Sequence, residues 1–142
     1  LNGFETCLSS LSTAQTFTVE GNNLTANISL SAPTGFEIST DDTTYSSTLQ
    51  LTQSAGTVSQ TTIYARLTGT TAGSFSGNIS LTSTGATSVS VAISGTVYSP
   101  PTLTASSDTV FVGETLGCKF ILQLVIWFSA QDNLANISHY FV

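Results

Sequence analysis

The sequence predicts an all-β protein whose residues 1–98 form an antiparallel β-sandwich of about seven strands. Three observations carry this prediction: short runs that alternate apolar and polar residues, turn residues between the runs, and a high content of Ser and Thr. Alternation with a period of two gives each strand one buried face and one solvated face. Two sheets packed face to face would bury all of the apolar faces together.

The first half of this region contains three such runs. The run at 16–20 alternates threonines with apolar residues and ends at 21–23, which reads Gly-Asn-Asn. The run at 24–31 has apolar residues at every second position and ends at 33–35, which reads Pro-Thr-Gly. The run at 36–39 alternates again before a pair of aspartates. Gly, Pro, Asn and Asp favour turns, so each run is expected to be a separate strand.

Four further runs follow, and Thr, Ser, Val and Ile, the residue types that suit a pleated and half-buried surface, dominate the region as a whole. No window of this region shows the 3.6-residue period of a helix. The runs lie at 49–51, 63–68, 79–81 and 89–93, and the expected turns between them lie at Gly56, 73–77 and 84–86.

Composition excludes several functional classes. The chain has 22 Ser and 25 Thr, and only 7% of its residues are charged, against about 25% in an average soluble protein. Hydroxyl groups therefore solvate the outer faces in place of charges. Arg66 and Lys119 are the only basic residues and the net charge is −6, which excludes a basic patch for nucleic acid or for an anionic membrane surface.

The sequence changes character after the predicted sandwich. Residues 99–101, Ser-Pro-Pro, are expected to be a linker, because proline fixes φ and removes an amide donor. Residues 102–116 resume alternation and predict the start of a second β module. The chain contains no Met, and we expect it to be an internal piece of a longer protein.

Residues 117–142 form an atypical apolar tail, with 16 apolar residues in 26 and only 2 Ser or Thr. Its most apolar stretch, 120–128, is about half as long as a bilayer span, so no transmembrane segment is predicted. Three interpretations stay open for the tail. It is a buried element of a truncated second domain, a peripheral anchor, or a stretch translated in the wrong frame.

The two cysteines, Cys7 and Cys118, are 111 positions apart. Their number is too small for a disulfide framework and their spacing does not fit a zinc site. We expect two unpaired, small apolar residues, and a single bridge between them is the alternative.

Catalysis is not expected, and no cofactor or metal site is predicted. A nucleophilic Ser needs a positioned base, but His139, the single histidine, lies in the tail. The only acidic pair, Asp41-Asp42, has too few oxygen ligands nearby for calcium. A turn in which Asp accepts hydrogen bonds from neighbouring amides is the simpler interpretation.

Two pairs of residues are candidates for other roles. Glu37 and Arg66 are both expected on outer faces, and they would form a cross-strand ion pair if their strands are neighbours. Tyr45 and Tyr64 are candidate exposed aromatics that could stack on sugars. Aromatics that pack at a sheet edge are the alternative for both, as for Tyr98.

Seven strings in residues 1–98 share their pattern with a known repeat: LNGF at 1–4, AQTFTV at 14–19, GNNL at 21–24, APTGFEISTD at 32–41, TTIYARL at 61–67, GSFSGNI at 73–79 and VSVAISGTV at 89–97. Together they resemble an immunoglobulin-like β-sandwich repeat of large secreted or surface proteins of Bacteroidetes-type bacteria. The resemblance implies a tandem spacer or adhesion module that is exported by the type IX route. It brings no catalytic residues.

We therefore expect a non-catalytic structural or adhesive spacer module of an exported multidomain bacterial protein, located outside the cell or at its surface. Its expected partners are neighbouring domains of the same chain, with surface glycans or proteins as further candidates. The alternative is a carbohydrate-binding module that uses the exposed aromatics.

Overall fold

The computed structural model describes residues 1–101, 103–105 and 110–112. The described residues are all β, contain no helix and form a two-layer sandwich of eight strands, which confirms the predicted fold class. The strands are β1 (Phe4–Cys7), β2 (Gln15–Gly21), β3 (Ile28–Ser31), β4 (Phe36–Ser39), β5 (Thr48–Leu51), β6 (Val58–Leu67), β7 (Gly73–Thr82) and β8 (Val89–Tyr98).

The eight strands divide into a five-stranded sheet in the order β1-β8-β7-β3-β5 and a three-stranded sheet in the order β2-β6-β4. Every pairing in the two sheets is antiparallel except that of β1 with β8. Two more strands, β9 (Leu103–Ala105) and β10 (Val110–Val112), form an antiparallel pair C-terminal to residues 99–101. The apolar tail at 117–142 lies outside the described residues.

The core lies between the sheets, where the apolar residues of alternating runs meet. In β6, for example, Ile63, Ala65 and Leu67 are fully buried, whereas Tyr64 and Arg66 between them are half-buried on the outer face. Such alternation builds one continuous apolar layer. Its members are Phe4, Val19, Ile28, Leu30, Phe36, Ile38, Leu51, Val58, Ile63, Ala65, Leu67, Ile79, Ile93 and Val97.

Three details differ from the sequence prediction. Gly73 to Gly77 is not a turn but the first half of β7; a Cβ on Gly77 would lie 2.6 Å from Cβ of Pro33, so glycine makes room for that ring. The run at 24–31 is a strand only from Ile28, because Leu24 instead donates its amide to the carbonyl of Gly56 in a loop contact. The strand β1 was not predicted at all.

The state of Cys7 also differs from the expectation of two unpaired cysteines. Cys7 ends β1 and is disulfide-bonded. Its distance from Cys118 along the sequence does not oppose a bridge, since only spatial separation limits disulfide formation. Cys118 itself lies outside the described residues.

The turn between β5 and β6 has an unusual residue in a left-handed conformation. Ser54 and Thr57 exchange backbone hydrogen bonds of 2.9 and 3.0 Å around Ala55 and Gly56. Both central residues have positive φ, 49° at Ala55 and 80° at Gly56. This pattern matches a type I′ turn, in which Asn-Gly is the preferred central pair and alanine is strained by its Cβ.

We expect Ala55→Asn to raise the free energy of unfolding by up to about 1 kcal/mol, because Asn tolerates the left-handed conformation better than Ala. Chemical denaturation checks this. Ala86→Asn is the matched control: Ala86 is also an exposed turn residue, but its φ is not positive. Equal stabilisation by the two variants would show that backbone strain at residue 55 is not the cause.

Candidate functional site

A cluster of polar and aromatic side chains lies on the outer face of the three-stranded sheet. We call Glu37, Tyr45, Tyr64 and Arg66 the tyrosine–arginine patch. The register pairs Glu37 with Arg66 between β4 and β6. Tyr64 and Arg66 are two positions apart on β6 and so share its outer face. Tyr45 comes from the loop that leaves β4.

Glu37 and Arg66 form an ion pair across the two strands. Nη2 of Arg66 lies 2.9 Å from Oε2 of Glu37, and Nε of Arg66 donates to the same oxygen at 3.2 Å. The side chain of Glu37 is 32% exposed and that of Arg66 is 24% exposed. An ion pair that is partly open to water contributes only about 0.2–1 kcal/mol, so its main effect is to fix the position of the guanidinium.

A charge-reversal cycle tests this pair. We expect Glu37→Arg and Arg66→Glu each to destabilise the fold, since each places like charges directly opposite one another. The double variant should recover about 0.2–1 kcal/mol of the summed loss, and denaturant unfolding of the four proteins measures it. Recovery should stay incomplete, because the reversed pair no longer places a cation over Tyr45. If the two losses simply add in the double variant, the pair contributes no coupling energy.

The guanidinium of Arg66 covers one face of the Tyr45 ring. Its Cζ lies 3.7 Å from the ring centroid, which is the geometry of a cation–π contact. The hydroxyl of Tyr45 donates to Oδ1 of Asp42. Burial, followed by this hydrogen bond to Asp42, raises the pKa of Tyr45 to about 12. Arg66 and Tyr64 share the outer face of β6, so Tyr45, which contacts Arg66, lies on that face as well.

The two candidate tyrosines therefore lie on the same outer face and not at opposite ends of the sandwich. Both are half-buried, in contrast to the exposed aromatics that the sequence suggested. Because Arg66 occupies one face of Tyr45, a sugar would have to stack on Tyr64 or on the opposite face of Tyr45. Tyr98 lies in the other sheet, and its hydroxyl donates to Oε1 of Glu5.

The acidic pair beside the patch forms a turn. Oδ1 of Asp41 accepts hydrogen bonds from the amides of Thr43 and Thr44 at 2.9 and 2.8 Å and from the Ser39 hydroxyl at 2.7 Å. These donors, the Thr44 amide foremost, hold the pKa of Asp41 well below its ordinary value of 3.8. Ser39 is fully buried, and no sequence pattern pointed to its role. Among the described residues, no group of three or more His, Cys, Asp or Glu is arranged to hold a metal.

Asp41 makes the stability of the fold depend on pH. Its pKa is lower in the folded protein than in the unfolded chain, so its contribution is complete above 3.8 and is lost as the pH falls through the lower folded-state value. We expect Asp41→Asn to reduce the melting temperature at neutral pH. The gap from the wild type should close as the pH drops below 3.8. Thermal unfolding across this pH range checks it, and a gap that stays constant would contradict the assignment.

The outer face of the five-stranded sheet has a different character. The outward positions of β3, β5, β7 and β8 carry no charged side chain. Two shallow depressions of about 480 and 420 Å³ share Ser29, Gln50 and Thr82 in their lining. Serine and threonine make up most of their lining, and none of the lining residues is charged.

The part of the chain that the structure describes has no helix with the length and apolar character needed to span a bilayer. No protein-family model and no curated protein matches this sequence.

Proposed function

We propose that the chain is a non-catalytic spacer module of an exported multidomain bacterial protein, located outside the cell or at its surface. The observation that carries the proposal is the parallel pairing of the first strand of the sandwich, β1, with the last, β8. Because these strands run in the same direction, the chain leaves the sandwich in the direction in which it entered. Modules joined in this way extend end to end.

The contact between the first and last strands is longer than the four residues of β1. The nitrogen of Leu1 donates to the carbonyl of Ala92 at 2.7 Å, and the amide of Ser94 donates to the carbonyl of Leu1 at 3.0 Å. At the other end, the amide of Leu8 donates to the carbonyl of Tyr98 at 3.0 Å. Tension on the two ends of the sandwich acts along this pairing, so its hydrogen bonds share the load instead of breaking one at a time.

The surface supports the same proposal. Across β3, β5, β7 and β8 the outer face of the five-stranded sheet has no charged side chain and consists mainly of hydroxyl, amide and small side chains; Glu5 on β1 places one carboxylate at its edge. A spacer needs such an inert face. The proposed partners are neighbouring domains of the same chain, with surface glycans or proteins as further candidates. The resemblance to immunoglobulin-like repeats agrees with this role.

Single-molecule force measurements test the proposal. We expect the sandwich to resist higher force when it is pulled from residues 1 and 101 than when it is pulled from Ala72→Cys and Ser99→Cys handles. The second geometry separates Gly73 from Val97, which are register partners at one end of β7 and β8, and so opens the hairpin pair by pair. Reducing conditions in the end-to-end experiment remove the Cys7 disulfide from the comparison. Equal or lower resistance in the end-to-end geometry would overturn the spacer role.

A second candidate function is carbohydrate binding, and the observation that favours it is the placement of Tyr45 and Tyr64 on one outer face beside Arg66. Aromatic rings on one surface, with an ion pair next to them, are the elements that a sugar would use. Titration with soluble glycans tests it. Removing both rings together, Tyr45→Ala with Tyr64→Ala, should abolish the binding, while Tyr98→Ala, in the other sheet, should not change it. Equal binding by both variants would exclude the patch as the sugar site.

A further inference from the structure

The strand β2 is an unprotected edge. It pairs with β6 on one side only and has seven residues, whereas β1, β4 and β5, the other edge strands of the sandwich, have four each. Apart from the pairing with β6, no residue of 15–21 makes a backbone–backbone hydrogen bond within the described chain. The strand contains neither Lys nor Pro, the residues that commonly block an edge, and Glu20 is its only charge.

An apolar cleft lies directly beside this edge. It has a volume of about 380 Å³ and separates β2 from the turn that joins β7 to β8. Phe17 of β2 lines one wall, and Leu81, Val89 and Val91 line the other. Val89 is 62% exposed, the most exposed large apolar side chain among the described residues. A strand added to β2 would place its inward side chains over this cleft.

The sequence of β2 is complementary to itself. In an antiparallel pair of two copies centred on Thr18, Phe17 of each copy lies opposite Val19 of the other, and Thr16 lies opposite Glu20. Apolar residues therefore meet apolar residues on the inner face, and no like charges face one another. The register of β2 with β6 shifts between Val19 and Gly21, so the regular part of the strand is Gln15–Val19 and Glu20 lies in the irregularity.

We propose that β2 is a self-association surface, which joins the three-stranded sheets of two copies of this chain into one six-stranded sheet about a two-fold axis at Thr18. A second copy fits better than an unrelated strand, because one symmetric register along the free edge pairs the apolar residues with each other and keeps the two Glu20 side chains from facing one another. Such an interface is isologous and closed, so it produces dimers and not filaments. It would link spacer chains side by side.

Sedimentation equilibrium of the full chain tests the proposal. The wild type should be a reversible dimer, and Thr18→Lys should raise the dissociation constant at least about tenfold, since two like charges then face each other at the axis. Thr62→Lys is the matched control: Thr62 is the register partner of Thr18 on the central strand β6, exposed on the same face but away from the edge. It should leave the dissociation constant unchanged.

A charge exchange separates pairing at β2 from other causes of association. Thr18→Asp alone should also be monomeric, and an equimolar mixture of Thr18→Asp and Thr18→Lys should regain the dimer mass. A monomeric wild type, a dimer that Thr18→Lys does not weaken, or a mixture that stays monomeric would each overturn the proposal. Thr18 and Thr62 are both exposed, and circular dichroism of each variant verifies that the substitution leaves the fold intact.

Discussion

Phe4→Ala is expected to lower the free energy of unfolding by about 3–5 kcal/mol, the usual loss for a buried phenylalanine. Phe4 is 2% exposed. Its ring meets that of Phe36 edge to face, with centroids 5.6 Å apart and planes at 71°. Phe36 belongs to the three-stranded sheet, so this contact joins the two layers beside the strand pair on which the spacer proposal rests.

Urea denaturation measures this loss, which is large against a typical total stability of about 5–15 kcal/mol. Leu11→Ala is the control, since Leu11 is 55% exposed and its loss should stay within about 0.5 kcal/mol. If Phe4→Ala does not fold at all, Phe4→Leu gives the graded result, a loss of about 1–2 kcal/mol. Similar small losses for Phe4→Ala and Leu11→Ala would show that β1 is not packed as described.

Gly69→Ala is expected to lower the free energy of unfolding by about 3 kcal/mol or more. The methyl group of the alanine would collide with backbone atoms, which cannot move aside as a flexible side chain can. A Cβ at residue 69 would lie 2.1 Å from the carbonyl oxygen of Ser10 and 2.6 Å from that of Cys7. The carbonyl of Gly69 accepts a 2.7 Å hydrogen bond from the amide of Ser9. The substitution therefore pushes the segment after β1 away from the end of β6.

Gly21→Ala is the matched control for this prediction. A Cβ there would lie 2.7 Å from Cδ1 of Leu24, the end of a flexible side chain that can turn aside. Neither Gly21 nor Gly69 has a positive φ, so backbone strain does not distinguish the two. Thermal unfolding should show a much lower melting temperature for Gly69→Ala than for Gly21→Ala, and equal values would contradict the close approach at residue 69.

The sequence was most informative where a strand pairs with polar residues outside and apolar residues inside. The alternation at 36–39 and 63–68 identified two strands and the outward direction of Glu37 and Arg66. It left open whether these strands are neighbours, because pairing depends on the topology of the whole sheet. The structure pairs them, with the two residues in register.

Other features could not be found from local patterns. The strand β1 has only four residues and is stabilised by β8, whose paired residues lie about 90 positions away in sequence. Gly73 and Gly77 favoured a turn, yet the space that Gly77 leaves is filled by Pro33 from a distant loop. The stacking of Arg66 on Tyr45 likewise depends on how the loop after β4 folds back over β6.

The candidate roles follow from different parts of one architecture. Parallel pairing at β1 and β8 gives a path for tension, the free edge at β2 gives a surface for a second copy, and the tyrosine–arginine patch lies on the outer face between the edges of the small sheet. The spacer role, in which the sandwich is a module, requires that the sandwich folds without residues 102–142.

Thermal unfolding of residues 1–101 beside the full chain, both under reducing conditions, tests this requirement most directly. We predict one cooperative transition for the shorter protein, at nearly the same temperature as the corresponding transition in the full chain. A gradual change without a cooperative transition in residues 1–101 would show that the sandwich is not a self-sufficient module, and the spacer proposal would fail with it.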